Sequence, residues 1–108
     1  MSPFNLFKAL DINEGVQTMQ KTKGAVLLDV RTREEYANAH IPGSLNIPLS
    51  ELQTAEQKIP DKSTSLFVHC LSGGRSQQAV RFLKRWGYTH VTDLGGIHHY
   101  NGPIEKGV

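Results

Sequence analysis

Runs of apolar residues alternate along this chain with segments in which apolar residues recur every three or four positions. The runs at 25–28 (AVLL) and 66–69 (LFVH) are almost continuous, which is typical of short strands buried on both faces of a parallel sheet. Two weaker strand candidates lie at 44–47 and 91–93, and Pro48 would end the first of them. We predict that the two stronger strands end at Asp29 and Cys70.

Residues that cap helices begin three of the segments between these strands. Side chains of Asn, Thr and Ser accept a hydrogen bond from the first turn of a helix. Thr32 also stands three residues before Glu35, which makes a capping box. The predicted helices are one from Asn13 to about Lys21, a short one from Thr32 through Asn38, and one begun by Ser50 and running toward Lys58.

A fourth predicted helix covers 76–86, where apolar side chains fall at three- and four-residue spacing and Gly87 follows as a usual stop signal. Strands that alternate with helices of about ten residues imply a parallel sheet with helices on both faces. Ligands of such sheets bind beyond the carboxyl ends of the strands. Asp29 and Cys70 therefore stand where a functional site is expected.

Composition and charge exclude several classes of function. With 108 residues, 38% of them hydrophobic and 20% charged, the chain fits one soluble domain spanning 1–108. Its 12 basic and 10 acidic residues give a formal charge of +2, too small for a general attraction to nucleic acid or an anionic membrane.

No apolar segment has the length of a membrane span, and Lys8 and Asp11 interrupt the amino-terminal region before a secretory core forms. One cysteine needs no oxidising compartment, so we expect a cytoplasmic protein, and a monomer by default.

The single cysteine stands before a glycine-rich loop, Cys70-Leu-Ser-Gly-Gly-Arg75. Gly73 and Gly74 permit positive φ, so successive backbone N–H groups can point into one cup, and the following helix adds the partial positive charge of its amino terminus. Such a cup favours an ionised thiol, because the usual thiol pKa of about 8.5 falls at helix amino termini. The planar guanidinium of Arg75 would donate two parallel hydrogen bonds to a doubly charged oxyanion. Simple packing is the alternative explanation of a cysteine at a strand end.

Three ordered motifs resemble those of the rhodanese domain in its single-domain sulfurtransferase form. They are LLDVRTREEYANAHIPGSLNIPL at 27–49, the C-x-x-G-x-R-S pattern from Cys70 to Ser76, and LGGIHHYNGP at 94–103. The resemblance spans about 26–104 and departs from the common pattern at Tyr100, where the family more often has tryptophan. It implies an α/β, three-layer fold in which a central, mostly parallel, five-stranded sheet is flanked by helices on both faces.

The resemblance also implies sulfur transfer without a cofactor. In this family the loop cysteine takes the outer sulfur of a small anionic donor such as thiosulfate, holds it as a persulfide, and passes it to cyanide, a thiol or a sulfur-acceptor protein. By this likeness Cys70 is the nucleophile and Arg75 attracts the donor. The backbone N–H groups that would hold donor and persulfide belong to Leu71, Ser72, Gly73, Gly74, Arg75 and Ser76.

Asp29 and Arg31 form the family's Asp-x-Arg pattern and are interpreted as structural residues near the site, because a buried carboxylate needs a cation or an N–H group as its partner. His40 is expected to set a turn. His69 precedes Cys70 on a strand, so its side chain should lie on the opposite face from the sulfur.

The adjacent His98 and His99 are expected to be exposed polar residues rather than metal ligands. The chain has no second cysteine and no carboxylate at ligand spacing from them. We predict no metal site.

Two other functions remain open. Phosphatases and arsenate reductases of the same fold separate their loop cysteine and arginine by five residues, whereas four separate Cys70 from Arg75, and this count favours sulfur over phosphate. A redox-sensing or protein-binding module would need only a reactive, exposed thiol. Repeated turnover distinguishes an enzyme from such a module.

Overall fold

A computed structural model of the chain describes residues 10–107, in which four strands form one sheet. The strand order is β2-β1-β3-β4, and each neighbouring pair is parallel. The strands are β1 (Val26–Asp29), β2 (Leu45–Asn46), β3 (Ser65–Cys70) and β4 (His90–Gly96). The four predicted strands are confirmed, and β1 and β3 end at Asp29 and Cys70 as expected. The fourth strand extends further than its apolar pattern indicates.

Four α-helices and two short 3-10 segments connect and cover these strands. The helices are α1 (Ile12–Lys21), α2 (Arg33–Asn38), α3 (Ala55–Lys58) and α4 (Gly74–Arg85), and the 3-10 segments are Leu49–Thr54 and Ile97–His99. The predicted helix from Ser50 is wrong in its first half. That part is a 3-10 turn that follows Pro48, and no side chain caps it.

The start of α1 also differs from the prediction. Asp11 is the capping residue, and its carboxylate accepts a hydrogen bond from the N–H of Asn13 at 2.8 Å. Asn13 instead connects α1 to the carboxyl-terminal part of the chain. Its side chain donates to the carbonyl of His99 at 3.0 Å and accepts from the N–H of Asn101 at 2.8 Å.

The sheet is buried on both faces, because successive strand residues point to opposite sides. On one side, Leu27 and Phe67 pack with Ile12 and Val16 of α1. The other side packs against α3 and α4 and contains Leu28, Leu66, Val68, Ala79 and Leu83. Burying a side chain of the size of leucine contributes about 1.5–3 kcal/mol. The predicted parallel sheet with helices on both faces is confirmed.

The five-stranded sheet needs a correction, because residues 10–107 contain four strands. The N–H of Leu10 donates to the carbonyl of Asp93 in β4 at 2.9 Å, but the chain enters α1 two residues later. Lys8, one of the two charged residues that interrupt the amino-terminal region, lies outside the described residues.

No helix in residues 10–107 combines the length and the apolar character that are required to cross a membrane.

Candidate active site

The carboxyl end of β3 places Cys70 at the amino-terminal end of α4. Only three residues separate Cys70 from Gly74, where α4 begins. The helix thus starts two residues earlier than the pattern predicts, and Arg75 lies in its first turn. Gly73 caps the helix with a φ of 114°, a value that favours glycine. The expectation of a positive φ at Gly74 is wrong, because Gly74 is already part of the helix.

The sulfur of Cys70 accepts a hydrogen bond from the backbone N–H of Gly73, with an N···S distance of 3.0 Å. This donor and the amino terminus of α4 both favour negative charge on the sulfur. Cys70 has 0% of its surface exposed and packs with the core on the α4 side of the sheet. A substrate can therefore reach the sulfur only after the loop or a neighbouring side chain moves.

The other predicted loop residues have distinct environments. Leu71 has 42% of its surface exposed, beside the buried cysteine. Ser76 is buried, and its hydroxyl donates to the carbonyl of Gly73 at 3.0 Å. This bond ties the first turn of α4 to the loop and helps to hold Gly73 in its positive-φ conformation.

Arg75 is paired with Glu35, which the sequence pattern identifies only as part of a helix cap. Its Nη1 and Nη2 donate to Oε1 and Oε2 of Glu35 at 2.7 and 2.9 Å, a bidentate ion pair. The two side chains are 32% and 29% exposed. The hydrogen bonds from Arg75 lower the pKa of Glu35 from 4.5 to about 2, and the same pairing raises the pKa of Arg75. The guanidinium at this site is therefore already neutralised by a fixed partner.

The capping box of α2 holds Glu35 in this position. The N–H of Thr32 donates to Oε1 of Glu35 at 2.8 Å, and the N–H of Glu35 donates to the hydroxyl of Thr32 at 3.2 Å. The capping box that the sequence predicts is confirmed. Nothing in the sequence pattern pairs Glu35 with a residue 40 positions away, so this site residue was missed.

Asp29 and Arg31 form a buried ion pair at the end of β1. Nη2 of Arg31 donates to Oδ2 of Asp29 at 2.7 Å and to the carbonyl of Ala39 at 2.7 Å. The two side chains are 0% and 5% exposed. Removing one partner of such a pair leaves a buried, unpaired charge and costs about 3–5 kcal/mol. This geometry fits the structural interpretation of both residues.

His69 is fully buried beside this ion pair, on a side of β3 away from the sulfur of Cys70. Its Nε2 lies 3.7 Å from Oδ2 of Asp29 and has no hydrogen-bond partner among residues 10–107. Burial lowers the pKa of His69 against the opposing effect of Asp29. At neutral pH the ring is therefore uncharged.

His40 lies just before the turn at residues 42–43 and pairs with Glu105 in the carboxyl-terminal segment. Its backbone exchanges two hydrogen bonds of 2.8 Å with Glu105, and its ring stacks on Tyr36 with 3.8 Å between ring centroids. His40 is nearly fully buried. These contacts fit the predicted turn.

Gly96 and His98 hold the loop from the other side. A Cβ at Gly96 would collide with the carbonyl oxygen of Leu71 and would lie 2.8 Å from Cα of Ser72. Only glycine allows β4 to approach the loop this closely. Nδ1 of His98 lies 2.7 Å from the carbonyl oxygen of Leu71, so this nitrogen carries the proton. The sequence pattern signalled the motif containing both residues but not their contact with the loop.

A cleft of about 680 Å³ lies next to the loop but does not reach the sulfur. Ser72, Gly73, Gly74, Gln77 and Asp11 are among the residues that line it. His98 and His99 are exposed, and residues 10–107 contain no group of three or more His, Cys, Asp or Glu side chains that could hold a metal ion.

Comparisons with known proteins agree with this architecture. Residues 13–102 match the family described as the Rhodanese-like domain. The chain is 40% identical over 81 residues to the thiosulfate sulfurtransferase PspE of Escherichia coli, covering 74% of this chain and 78% of the relative. It is 37% identical over 87 residues to the human thiosulfate:glutathione sulfurtransferase, covering 68% of this chain and 76% of the relative.

Among solved structures, a rhodanese with anions from E. coli superposes with a TM-score of 0.72 at 38% identity, covering 77% of this chain and 99% of that one. Several other relatives are longer, and the chain spans only a quarter to a half of their length. The family match covers most of this chain, and the chain belongs to the rhodanese-like domain family.

Proposed function

We propose that this protein is a sulfurtransferase that moves a sulfane sulfur from a donor to a thiophilic acceptor through a persulfide on Cys70. The observation that carries the proposal is the N–H of Gly73, which donates to the sulfur of Cys70 at 3.0 Å. A thiolate is the nucleophile in thiol chemistry, and a donor aimed at the sulfur stabilises it. The family membership and the sulfurtransferase relatives support the same reaction.

In the first half of the proposed reaction, the Cys70 thiolate attacks the outer sulfur of the donor. A bond forms between Sγ and that sulfur while the sulfur–sulfur bond of the donor breaks, and the electron pair leaves with the remainder of the donor. With thiosulfate, the leaving group is sulfite. The loop N–H groups would hold the negative charge of the persulfide.

In the second half, the acceptor attacks the outer sulfur of the persulfide. Cyanide leaves as thiocyanate, a thiolate leaves as a new persulfide, and in both cases the electron pair of the broken bond returns to Cys70. Neither half requires a cofactor or a metal. A reducing compartment such as the cytoplasm would keep Cys70 available for the next cycle.

Intact-protein mass spectrometry tests this proposal. After incubation with thiosulfate or with an organic persulfide, the wild-type protein should gain one sulfur atom and then lose it to cyanide as thiocyanate. Cys70→Ser, which keeps the size of the side chain, should gain none while remaining folded. A folded, reduced wild-type protein that gains no sulfur from either donor would overturn the proposal.

The same measurement separates the alternatives. A redox sensor would oxidise at Cys70 without repeated production of thiocyanate, and a phosphatase would release phosphate without gaining sulfur. As a further check on loop length, one glycine inserted after Gly74 should lower sulfur transfer. If it raised phosphatase activity and left sulfur transfer intact, the spacing of Cys70 and Arg75 would not determine the chemistry.

A further inference from the structure

The ion pair between Arg75 and Glu35 changes what the active-site loop can bind. Both terminal nitrogens of Arg75 are engaged by the two oxygens of a single carboxylate. The guanidinium retains N–H groups that can donate hydrogen bonds, but its charge is compensated by a partner that the capping box of α2 holds in position. An anion that approaches Arg75 therefore meets a neutral pair rather than a free cation.

The remaining attraction comes from the backbone. The loop N–H groups and the amino terminus of α4 together supply a partial charge of about half a proton. This partial charge suits a donor that carries one negative charge. A second donor charge held at Arg75 would lie next to the carboxylate of Glu35, which contacts the guanidinium at 2.7 and 2.9 Å and is ionised at neutral pH because its pKa is about 2. Like charges in such positions repel each other.

The exposed side chain of Leu71 adds a second observation. It is a loop residue, directly follows Cys70 and leaves 42% of its surface exposed. An organic substituent that reaches this side chain would gain an apolar contact, whereas an oxyanion would not.

We propose that Glu35 selects the sulfur donor by its charge, so that the site prefers an organic, singly charged persulfide donor to doubly charged thiosulfate. This inference rests on the sulfur transfer proposed above. The Cys70 thiolate attacks the outer sulfur of R–S–S⁻, the new Sγ–S bond forms as the inner bond breaks, and the electron pair leaves as R–S⁻. The leaving thiolate then takes a proton from water.

Two small donors that differ by one charge test the inference. Thiosulfate carries two negative charges, and methanethiosulfonate has a methyl group in place of one oxygen and carries a single charge. Each transfers its outer sulfur to a thiolate, leaving as sulfite or as methanesulfinate. For the wild type we expect a higher kcat/KM with methanethiosulfonate than with thiosulfate, with cyanide as the acceptor.

The decisive variant is Glu35→Gln. Glutamine also serves at the third position of a capping box, so the start of α2 is kept while the charge is removed. We expect kcat/KM for thiosulfate to rise about tenfold, mostly because KM falls. The kcat/KM for methanethiosulfonate should rise less than about threefold. The increase for thiosulfate should shrink as salt is added, because the uncovered charge of Arg75 is screened.

Glu34→Gln is the matched control. Glu34 is the neighbouring residue in the same helix turn and is exposed, and its loss changes the net charge by the same amount. Both kcat/KM values should stay unchanged in this variant. Thermal melting of both variants verifies that they are folded.

The inference is overturned if Glu35→Gln changes both donors by the same factor, or if Glu34→Gln reproduces its effect. Both results would leave the proposed sulfur transfer standing.

A measurement on the wild type alone gives a separate check. If thiosulfate KM rises with salt far more steeply than methanethiosulfonate KM, Arg75 acts as a free cation and the inference is wrong. If the wild type gains no sulfur from either donor, the proposed function fails and this inference fails with it.

Discussion

At the scale of single residues, the site depends on how one glycine orients its N–H group. Gly73 has a φ of 114°, and its N–H donates to the sulfur of Cys70. Gly74, its neighbour, is a helical residue with open space where a Cβ would be. The two glycines look equivalent in the sequence but have different functions in the loop.

Gly73→Ala and Gly74→Ala should therefore have different effects. An alanine at position 73 is strained by about 1–3 kcal/mol, which should lower the free energy of unfolding and slow persulfide formation at Cys70. An alanine at position 74 should change stability by no more than about 1 kcal/mol and could increase it. Urea unfolding and the rate of sulfur gain by mass spectrometry measure both effects. Equal losses in the two variants would contradict the assignment.

At the scale of elements, the amino-terminal turns of α2 and α4 are joined by one ion pair. Glu35 belongs to the capping box of the first helix and Arg75 to the first turn of the second. Gly96 of β4 supports the loop between β3 and α4 from another direction, because it leaves space for the backbone of Leu71 and Ser72. The loop is thus positioned by α4, which continues it, and by α2 and β4, which come from other parts of the chain.

The ion pair should make stability depend on pH. The folded pKa of Glu35 is about 2, below its usual 4.5, so its contribution is fully present above 4.5 and is lost as the pH falls toward 2. Because the pair is partly exposed and screened by solvent, we expect a contribution of about 1 kcal/mol. The difference in unfolding free energy between the wild type and Glu35→Gln should be largest near neutral pH and vanish near pH 2. A difference that persists at pH 2, or an equal one for Glu34→Gln, would contradict this.

At the scale of the whole molecule, the described residues form one sheet with an apolar cluster on each face. Large exposed apolar side chains in residues 10–107 are Leu10, Leu71, Phe82 and Ile104, and they belong to four different segments of the fold. These four side chains are far fewer than the roughly 20–30 residues that each partner contributes to a stable interface.

We therefore expect a monomer in solution. Sedimentation equilibrium should give a single species of 12.0 kDa across the micromolar range. A mass that increases with protein concentration would show self-association. In that case Phe82→Ser, on the exposed side of α4, and Leu71→Ser, in the loop, would locate the contact.

Much of the fold could be predicted because its signals are local. The apolar runs indicated β1 and β3, and the pair Thr32 and Glu35 indicated the start of α2. The prediction for the start of α1 was wrong because Asp11 and Asn13 are both good capping residues, and the long-range bonds of Asn13 to residues 99 and 101 decided between them. The first half of the helix predicted from Ser50 was wrong because Pro48 leads into a tighter 3-10 turn, and the α-helical part begins only at Ala55.

The sequence by itself determined the family, the place of Cys70 at a strand end, and the four-residue spacing between Cys70 and Arg75. These features depend on residues that are close along the chain, where capping, strand burial and glycine conformations follow from the nearest neighbours. Only the tertiary structure decided that Arg75 is neutralised by Glu35 and that Gly96 leaves room for the loop. Such contacts join residues separated by tens of positions, and they exist because the strand order and the packing of the helices bring their elements together.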